Sequence, residues 1–246
     1  MKKYFSPDGL DPSAQETHSE PSNLGQESGK EKLVNKFEVF FEAPYAELKK
    51  AILETVKPGS NILDLGAYEG RLEDYLEEKG GHYSVQCVDI DARALSALRA
   101  KNYQNVETSI IQSDANLFMD NCEGKNDIDT IFLSATLHEI NDPQRQQEYL
   151  EHFLEKAKTI LRPGGEIIIG DFYYPESVSD EEVEAFIEYQ KKAINHADAR
   201  NKFIKPDLIK KVAQSSGFSV SYETEMRAVK QIDRRYYVII LKSDNG

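Results

Sequence analysis

Short apolar runs alternate with helical segments over most of the chain beyond Pro58. The apolar runs are NILDLG, YSVQCVDI, VETSIIQSD, DIDTIFLSA and GEIIIGDF, and the segments between them include RLEDYLEEKG, ARALSALRAKN and PQRQQEYLEHFLEKAKTILRPGG. Buried parallel strands read as continuous apolar runs, and amphipathic helices repeat their apolar positions every 3.6 residues. The pattern therefore predicts repeated βαβ units and a doubly wound, Rossmann-like α/β sheet.

The last third of the chain departs from this alternation. The segment SVSDEEVEAFIEYQKKAINHADARN predicts an added helix, capped by Ser179 or Asp180, within a helical lid insertion at about 173–204. After a further helix at PDLIKKVAQSSG, the runs FSVSYETE and RRYYVIILKS predict a closing hairpin. We therefore expect a seven-stranded sheet, mostly parallel with an antiparallel last strand, plus a helical cap.

The chain before the sheet divides into two parts. Residues 1–30 are crowded with Pro, Gly, Ser and Glu, which predicts a flexible N-terminal tail. Residues 31–57 carry aromatic and aliphatic positions at helical spacing and predict two cap helices that meet at Ala43 and Pro44. The cap aromatics either pack the helices onto the domain or also cover a ligand. Residues 58–246 then form the main domain, with its lid.

Composition excludes several classes of protein. The 246 residues carry a net charge of -13, which would repel a phosphate backbone, so no nucleic-acid partner is expected. The mean hydropathy of -0.58 predicts a soluble protein, and no stretch approaches the roughly 20 apolar residues of a membrane span, so no membrane partner is expected. Only two cysteines are present, without metal-site spacing, and they favour a reduced cytoplasmic setting.

Each predicted parallel strand ends in polar residues. Because ligands bind at the carboxyl ends of the strands in such sheets, these side chains are expected on one rim. Asp89 falls 25 positions after Asp64, where an acid can accept hydrogen bonds from both ribose hydroxyls of a nucleoside. The residues at the four ends are Asp64 and Gly66, Asp89 and Asp91, Ser113 and Asp114, and Ser134, Thr136, His138 and Glu139.

The motifs DLGAYEG, VDID, SDA, LSATLHEI and LRPGGEIIIGDF resemble those of the class I S-adenosylmethionine-dependent methyltransferases. The resemblance runs from about Asn61 to Phe172, and more loosely to Lys242. It implies S-adenosyl-L-methionine as cofactor, S-adenosyl-L-homocysteine as product, and in-line displacement of the methyl group by an O, N or other nucleophile of a small molecule. A nicotinamide dehydrogenase is disfavoured because GAYEG lacks the G-x-G-x-x-G that lies against a pyrophosphate.

The resemblance also implies roles for single residues. The loop after the first strand approaches the methionine part of the cofactor, Asp89 binds the ribose with Ile90 beside the adenine, and Asp114 takes the adenine amino group. Ser134 lines the floor by the reactive methyl group. The implied cofactor-binding residues are Asp64, Gly66, Ala67, Tyr68, Gly70, Asp89, Ile90, Asp114, Ala115 and Ser134.

Tyr68 departs from the family's pattern, in which the loop commonly has glycine at this position. A left-handed tyrosine costs roughly 1 to 2 kcal/mol, so we expect a loop in which φ stays negative. The ring then faces solvent, packs against the protein, or borders the substrate pocket.

The sequence pattern indicates the residues that contact the methyl acceptor less clearly than those that bind the cofactor. A general base is optional for methyl transfer, and His138 is the candidate, with Glu139 as its neighbour or as a contact for a cationic substrate. No metal is expected, since HExxH would need histidine where Asp142 stands. Tyr45 of the cap and Tyr173, Tyr174 and His196 of the lid are predicted substrate contacts. Two other functions stay open, a catalytically silent S-adenosylmethionine-binding regulatory protein and a protein methyltransferase, as do a monomer and a homodimer.

Overall fold

The computed structural model describes residues 44–122, 126–194 and 197–244. The predicted tail, the first part of the predicted cap helices and His196 lie outside these ranges. Within the described residues, no helix has the length and apolar character needed to cross a membrane.

One seven-stranded sheet organises the molecule. Its order is β3-β2-β1-β4-β5-β7-β6, and all neighbouring pairs are parallel except those that involve β7. The prediction of a Rossmann-like sheet with an antiparallel last strand is confirmed. The strands are β1 (Asn61–Leu65), β2 (Tyr83–Asp89), β3 (Val106–Gln112), β4 (Ile128–Ser134), β5 (Leu161–Tyr173), β6 (Phe218–Arg227) and β7 (Arg235–Ser243).

Helices cover both faces of the sheet, as the right-handed crossovers between parallel strands require. One apolar core lies under α1, α2 and α3, and a second lies under α4, α6 and α8. The helices are α1 (residues 44–55), α2 (Arg71–Lys79), α3 (Ala92–Ala100), α4 (Ala115–Asn121), α5 (Leu137–Ile140), α6 (Gln146–Ile160), α7 (Asp180–Ile194) and α8 (Pro206–Ser215), with a 3-10 turn at Arg200–Lys202.

The segment 173–204, which we predicted to be a lid, contains α7 and the 3-10 turn. Ser179 caps α7: its Oγ accepts a hydrogen bond from Glu182 N at 3.2 Å, and Glu182 Oε2 accepts one from Ser179 N at 2.9 Å. Arg200 ties the end of the lid to its start, donating to the carbonyls of Pro175 and Val178. Hydrogen bonds therefore join the two ends of this segment.

The direction of β7 decides what reaches the rim. Because β7 runs antiparallel to β5, its first residues lie beside the carboxyl end of β5, where Tyr236 pairs with Phe172 and Tyr237 with Asp171. The start of the last strand thus joins the ends of the parallel strands at the edge where ligands bind in this class of fold.

Candidate functional site

The loop between β1 and α2 passes close to the neighbouring loop after β4. Gly66 has φ of 78°, and a Cβ atom there would lie 2.2 Å from Oγ1 of Thr136. Gly66 N and the buried Ala67 N both donate to the Val88 carbonyl, and Gly70, with φ of 85°, starts α2. Only glycine fits at position 66, because φ is positive and Thr136 leaves no room for a Cβ atom. The rim at this point is therefore formed by backbone and not by a side chain.

Tyr68 has φ of 48°, in the left-handed region, so the expectation of a negative φ is wrong. Its N–H donates to Oδ2 of Asp89 at 2.8 Å, and this bond to a carboxylate holds the turn that the loop needs. The side chain is 57% exposed, so the ring does not pack into the core. Whether it borders the acceptor site stays a prediction.

The ends of β2 and β3 present three carboxylates that bond to nearby backbone. Asp89 Oδ1 accepts from Asp91 N at 2.8 Å, so both oxygens of Asp89 fix loop backbone while each retains a further lone pair. Asp91 caps α3, and Asp114 caps α4 by accepting from Leu117 N at 3.0 Å. Ile90 is 69% exposed. An apolar side chain this open beside Asp89 fits a flat ligand placed against it.

Asp64 and Glu73 form a buried pair of acids beneath this loop, here called the acid pair. The two residues are 2% and 0% exposed, and Asp64 Oδ1 and Glu73 Oε2 have no hydrogen-bond partner in the part of the chain that is described. Glu73 Oε1 accepts from the Cys87 thiol at 3.0 Å. Burial, followed by Glu73 and Asp89, raises the pKa of Asp64, and burial also raises the pKa of Glu73. The acid pair therefore retains protons above the usual carboxyl range.

His138 lies under the rim between charged groups. Its Nδ1 lies 2.7 Å from Oδ1 of Asp171, and its backbone N–H donates to Asp171 Oδ2 at 2.9 Å. The imidazole is 6% exposed and lies 4.8 Å from the ring of Phe203. Burial alone would lower the pKa of His138, but Asp171, followed by Asp198, raises it to about 10. The ring is therefore protonated at neutral pH.

The other ring nitrogen faces two further acids. His138 Nε2 lies 3.6 Å from carboxylate oxygens of both Glu139 and Asp198. Lys202 Nζ donates to Glu139 at 2.8 Å and to Asp198 at 3.0 Å. We call His138, Asp171, Asp198 and Lys202 the mixed cluster.

Ligand atoms of His138, Glu139 and Asp198 lie within 4.8 Å of one another, the spacing of a possible metal site. Because the Lys202 ammonium already bonds both carboxylates, a metal ion there would have to displace it.

The predicted substrate contacts differ in their surroundings. Tyr45 is half-buried, with the guanidinium of Arg71 3.6 Å from its ring centroid. The Tyr173 hydroxyl donates to Glu225 Oε2 at 2.6 Å, which directs it towards β6. Tyr174 is 2% exposed, and its hydroxyl has no partner among the described residues. Of these tyrosines, only Tyr174 combines burial with an unsatisfied polar group.

Sequence reasoning missed four residues of the rim: Glu73, Asp171, Arg234 and Tyr236. Asp171 ends the fifth strand and carries the same signal as Asp64. Arg234 and Tyr236 could be found by noting that an antiparallel last strand begins at the rim where the others end. Glu73 gives no signal, since it lies in a helix with other acids.

Part of the chain, from β1 to the beginning of β5, matches a known protein family. Residues 62–165 match the family model described as a methyltransferase domain. The match indicates a methyltransferase domain over this part of the chain. The methyltransferase class that the motifs implied is therefore confirmed over this segment, and S-adenosylmethionine as its cofactor stays a prediction. No curated protein matches the sequence.

Solved structures share the fold of this methyltransferase at low sequence identity. A SAM-dependent methyltransferase from Aquifex aeolicus has a TM-score of 0.56 and 20% identity, covering 87% of this chain and 97% of its own. The cyclopropane synthase MmaA2 from Mycobacterium tuberculosis has a TM-score of 0.61 and 9% identity, with coverage of 81% and 84%. A geranyl diphosphate methyltransferase in complex with SAM has a TM-score of 0.60 and 12% identity, with coverage of 89% and 92%. At these identities the likeness establishes the fold and leaves the acceptor open.

Proposed function

We propose that this methyltransferase moves the methyl group of S-adenosylmethionine to a nucleophilic atom of a small molecule. One observation carries the proposal: the loops after β1, β2, β3 and β4 bring Gly66, Asp89, Asp114 and Ser134 to one rim of one sheet. This is the edge at which doubly wound folds bind nucleotides.

The residues present fit the cofactor. Asp64 has a buried carboxyl oxygen without a partner beside a glycine loop, and a cationic ligand placed near it would favour its ionised form. Asp89 keeps lone pairs for ribose hydroxyls, and Asp114, which is exposed, can accept from an amino group. We assign the methionine part to Asp64, Gly66, Ala67, Tyr68 and Gly70, and the nucleoside to Asp89, Ile90, Asp114 and Ala115.

The protein's part in the reaction is alignment and exclusion of water. The bound sulfonium supplies an already activated methyl group, which an acceptor lone pair displaces in line. Ser134 lies at the rim between the loop after β1 and the start of β7, where the acceptor atom has to meet the methyl group.

His138 is poorly suited to act as a general base. A ring with a pKa of about 10 already holds the proton that a base would have to accept near neutral pH. We assign it instead to positioning, because it holds Asp171 at the end of β5 and Glu139 near the rim. Glu139 is half-exposed and stays a candidate contact for the acceptor.

A small acceptor in the cytoplasm fits the charge and burial of the site. The net charge of -13 opposes nucleic acid as a substrate, and the buried aromatic side chains around Tyr174 and Tyr236 favour a compact molecule over a protein surface. A protein acceptor and a silent regulatory role remain the alternatives, and the sequence allows a monomer or a homodimer.

Calorimetry with S-adenosylmethionine tests the cofactor site. We expect Asp89→Ala to lower affinity about 100-fold, since it removes charged hydrogen bonds to the ribose and the bond that holds Tyr68. Asp91→Ala is the matched control, because that carboxylate caps α3 and is not assigned to the cofactor. Equal affinity in both variants would refute the assignment.

Turnover separates the alternatives. Incubation with S-adenosylmethionine and a mixture of small metabolites should yield S-adenosylhomocysteine together with a methylated small molecule, both detected by mass spectrometry. Binding without product from either metabolites or proteins would instead indicate the silent protein. A methylated polypeptide as the sole product would indicate a protein methyltransferase.

A further inference from the structure

Four buried hydroxyl groups at the rim lack hydrogen-bond partners among the described residues. They belong to Ser134 at the end of β4, to Tyr174 beyond the end of β5, and to Tyr236 and Tyr237 at the start of β7. The Tyr236 hydroxyl lies against Gly170, where a Cβ atom would be 2.2 Å away. Burial raises the pKa of Tyr236, and the nearby Ser134 hydroxyl partly opposes this, although no hydrogen bond joins the two.

Arg234 lies among these groups and is itself unsatisfied. It is 5% exposed, and its Nε has no hydrogen-bond partner within the described ranges. The guanidinium carbon lies 4.4 Å from the ring centroid of Phe172, 4.7 Å from Phe203 and 5.6 Å from Tyr174. Burial lowers the pKa of Arg234, but a guanidinium stays charged even so.

Asp171, an acid that acts on Arg234, has both carboxylate oxygens bonded to other groups. Asp171 accepts from the His138 backbone on one oxygen and from His138 Nδ1 and Phe172 N on the other. Aromatic faces stabilise a guanidinium but accept none of its five N–H groups in the plane. The Nε–H group of this buried arginine therefore has no acceptor among the described residues.

We propose that Arg234, with the hydroxyls of Tyr174 and Tyr236, binds a carboxylate group of the methyl acceptor. The fork of the guanidinium matches a carboxylate bidentately, and the phenols of Tyr174 and Tyr236 are further donors on the same face of the sheet. This inference rests on the proposed function, because it gives the acceptor class for the same rim. It also places the acceptor's anionic end away from the acid pair.

A carboxylate fits better than a phosphate. One guanidinium can balance a single negative charge, whereas a phosphate dianion would add a second charge near Asp171 and Asp198, which already act on Arg234. The rings of Phe172 and Phe203 border the guanidinium, so the rest of the acceptor next to the carboxylate meets an apolar, aromatic surface.

The test uses the full chain saturated with S-adenosylhomocysteine and three probes: benzoate, its neutral isostere benzamide, and phenyl phosphate. Calorimetry should show benzoate binding about tenfold or more tightly than benzamide, the loss expected when a charged hydrogen bond is removed. Arg234→Gln should lower benzoate affinity about tenfold and leave benzamide unchanged. Tyr236→Phe, which removes only a hydroxyl, should lower it about threefold.

Controls keep the two proposals apart. Arg235→Gln changes the neighbouring arginine, whose guanidinium is bound to Asp233, and benzoate affinity should stay at the wild-type level. Failure to bind S-adenosylhomocysteine at all contradicts the proposed function, independently of the probes.

If S-adenosylhomocysteine binds but benzoate does not, the carboxylate site is refuted. The same holds if benzamide matches benzoate or if phenyl phosphate binds more tightly than benzoate. Circular dichroism and S-adenosylhomocysteine affinity report whether Arg234→Gln folds, and Tyr236→Phe decides the question if it does not.

Discussion

The acid pair and the mixed cluster both bury two carboxyl groups at the carboxyl edge of the sheet, yet the side chains around those carboxyl groups differ. Among the described residues, no basic side chain is bonded to Asp64 or Glu73, and the pKa of each acid is raised. Asp171 and Asp198 instead lie against His138 and Lys202, and the pKa values of these two bases are raised. Burial raises the pKa of a carboxyl group, whereas a cation beside a carboxylate favours its charged form.

This difference indicates where the charged groups of the cofactor and of the methyl acceptor bind. Acids without a cation lie under the loop proposed for the positively charged methionine end of the cofactor. Arg234, whose Nε has no acceptor among the described residues, lies where we place the carboxylate of the methyl acceptor. The mixed cluster satisfies itself internally, so we assign it to holding the rim and not to binding.

Breaking the mixed cluster should have the largest effect. Asp171→Asn removes the charge opposite His138 and leaves a buried imidazolium less compensated, so we expect the free energy of unfolding to fall by about 3 kcal/mol or more. Urea denaturation at neutral pH measures this. The matched control is Asp120→Asn, which breaks the exposed pair of His152 and Asp120 at 2.8 Å and should cost about 0.5 kcal/mol or less. Equal losses in the two variants would contradict the role given to burial.

The pH dependence of stability sharpens the same contrast. The folded pKa of His138 is raised from 6.5 to about 10, so its stabilising contribution is complete below 6.5 and is lost as the pH rises through 10. We expect His138→Gln to be about 4 kcal/mol less stable than wild type at pH 6 and nearly equal to it at pH 10.5. Denaturation at several pH values gives the difference. A constant gap across this range would argue against a protonated ring.

Removing a charge from the acid pair should raise the free energy of unfolding, whereas removing one from the mixed cluster should lower it. Because the pKa of Glu73 is raised above its usual 4.5, burial of its ionised form costs stability progressively as the pH rises above that value. Glu73→Gln keeps the shape without the charge, and we expect a gain of about 1 kcal/mol at pH 9 and no change at pH 4. Glu78→Gln, in the same helix but exposed, should stay within about 0.5 kcal/mol of wild type at both pH values. A loss at pH 9 in Glu73→Gln would mean that the ionised acid is stabilising.

Sequence predicted the sheet because every strand of it has a local signal. The apolar runs, the helical spacing between them and the reversed last hairpin each depend on neighbouring residues, and so do the polar strand ends at Asp64, Asp89 and Asp114. Arg234 and Tyr236 depend instead on which strand lies beside β5, a contact between distant parts of the chain. Glu73 depends on which face of α2 is buried, and a helix rich in acids does not reveal this.

Tyr68 shows how a local rule fails at a ligand loop. The steric preference for negative φ holds for an isolated tyrosine, but the bond from Tyr68 N to Asp89 Oδ2 is worth about as much as the left-handed turn costs. Such strain is typical of loops whose backbone is shaped for binding.

The smallest effect is therefore expected at this residue. Tyr68→Gly relieves the left-handed turn but frees the unfolded chain, so we expect a net gain of about 0.5 kcal/mol. Tyr68→Phe should leave stability unchanged, because the hydroxyl belongs to a ring that is 57% exposed. Thermal denaturation compares the variants, and titration with S-adenosylhomocysteine and benzoate reports on the ring. Unchanged affinities in both variants would place the ring in solvent, whereas weaker benzoate binding in Tyr68→Gly alone would place it beside the acceptor.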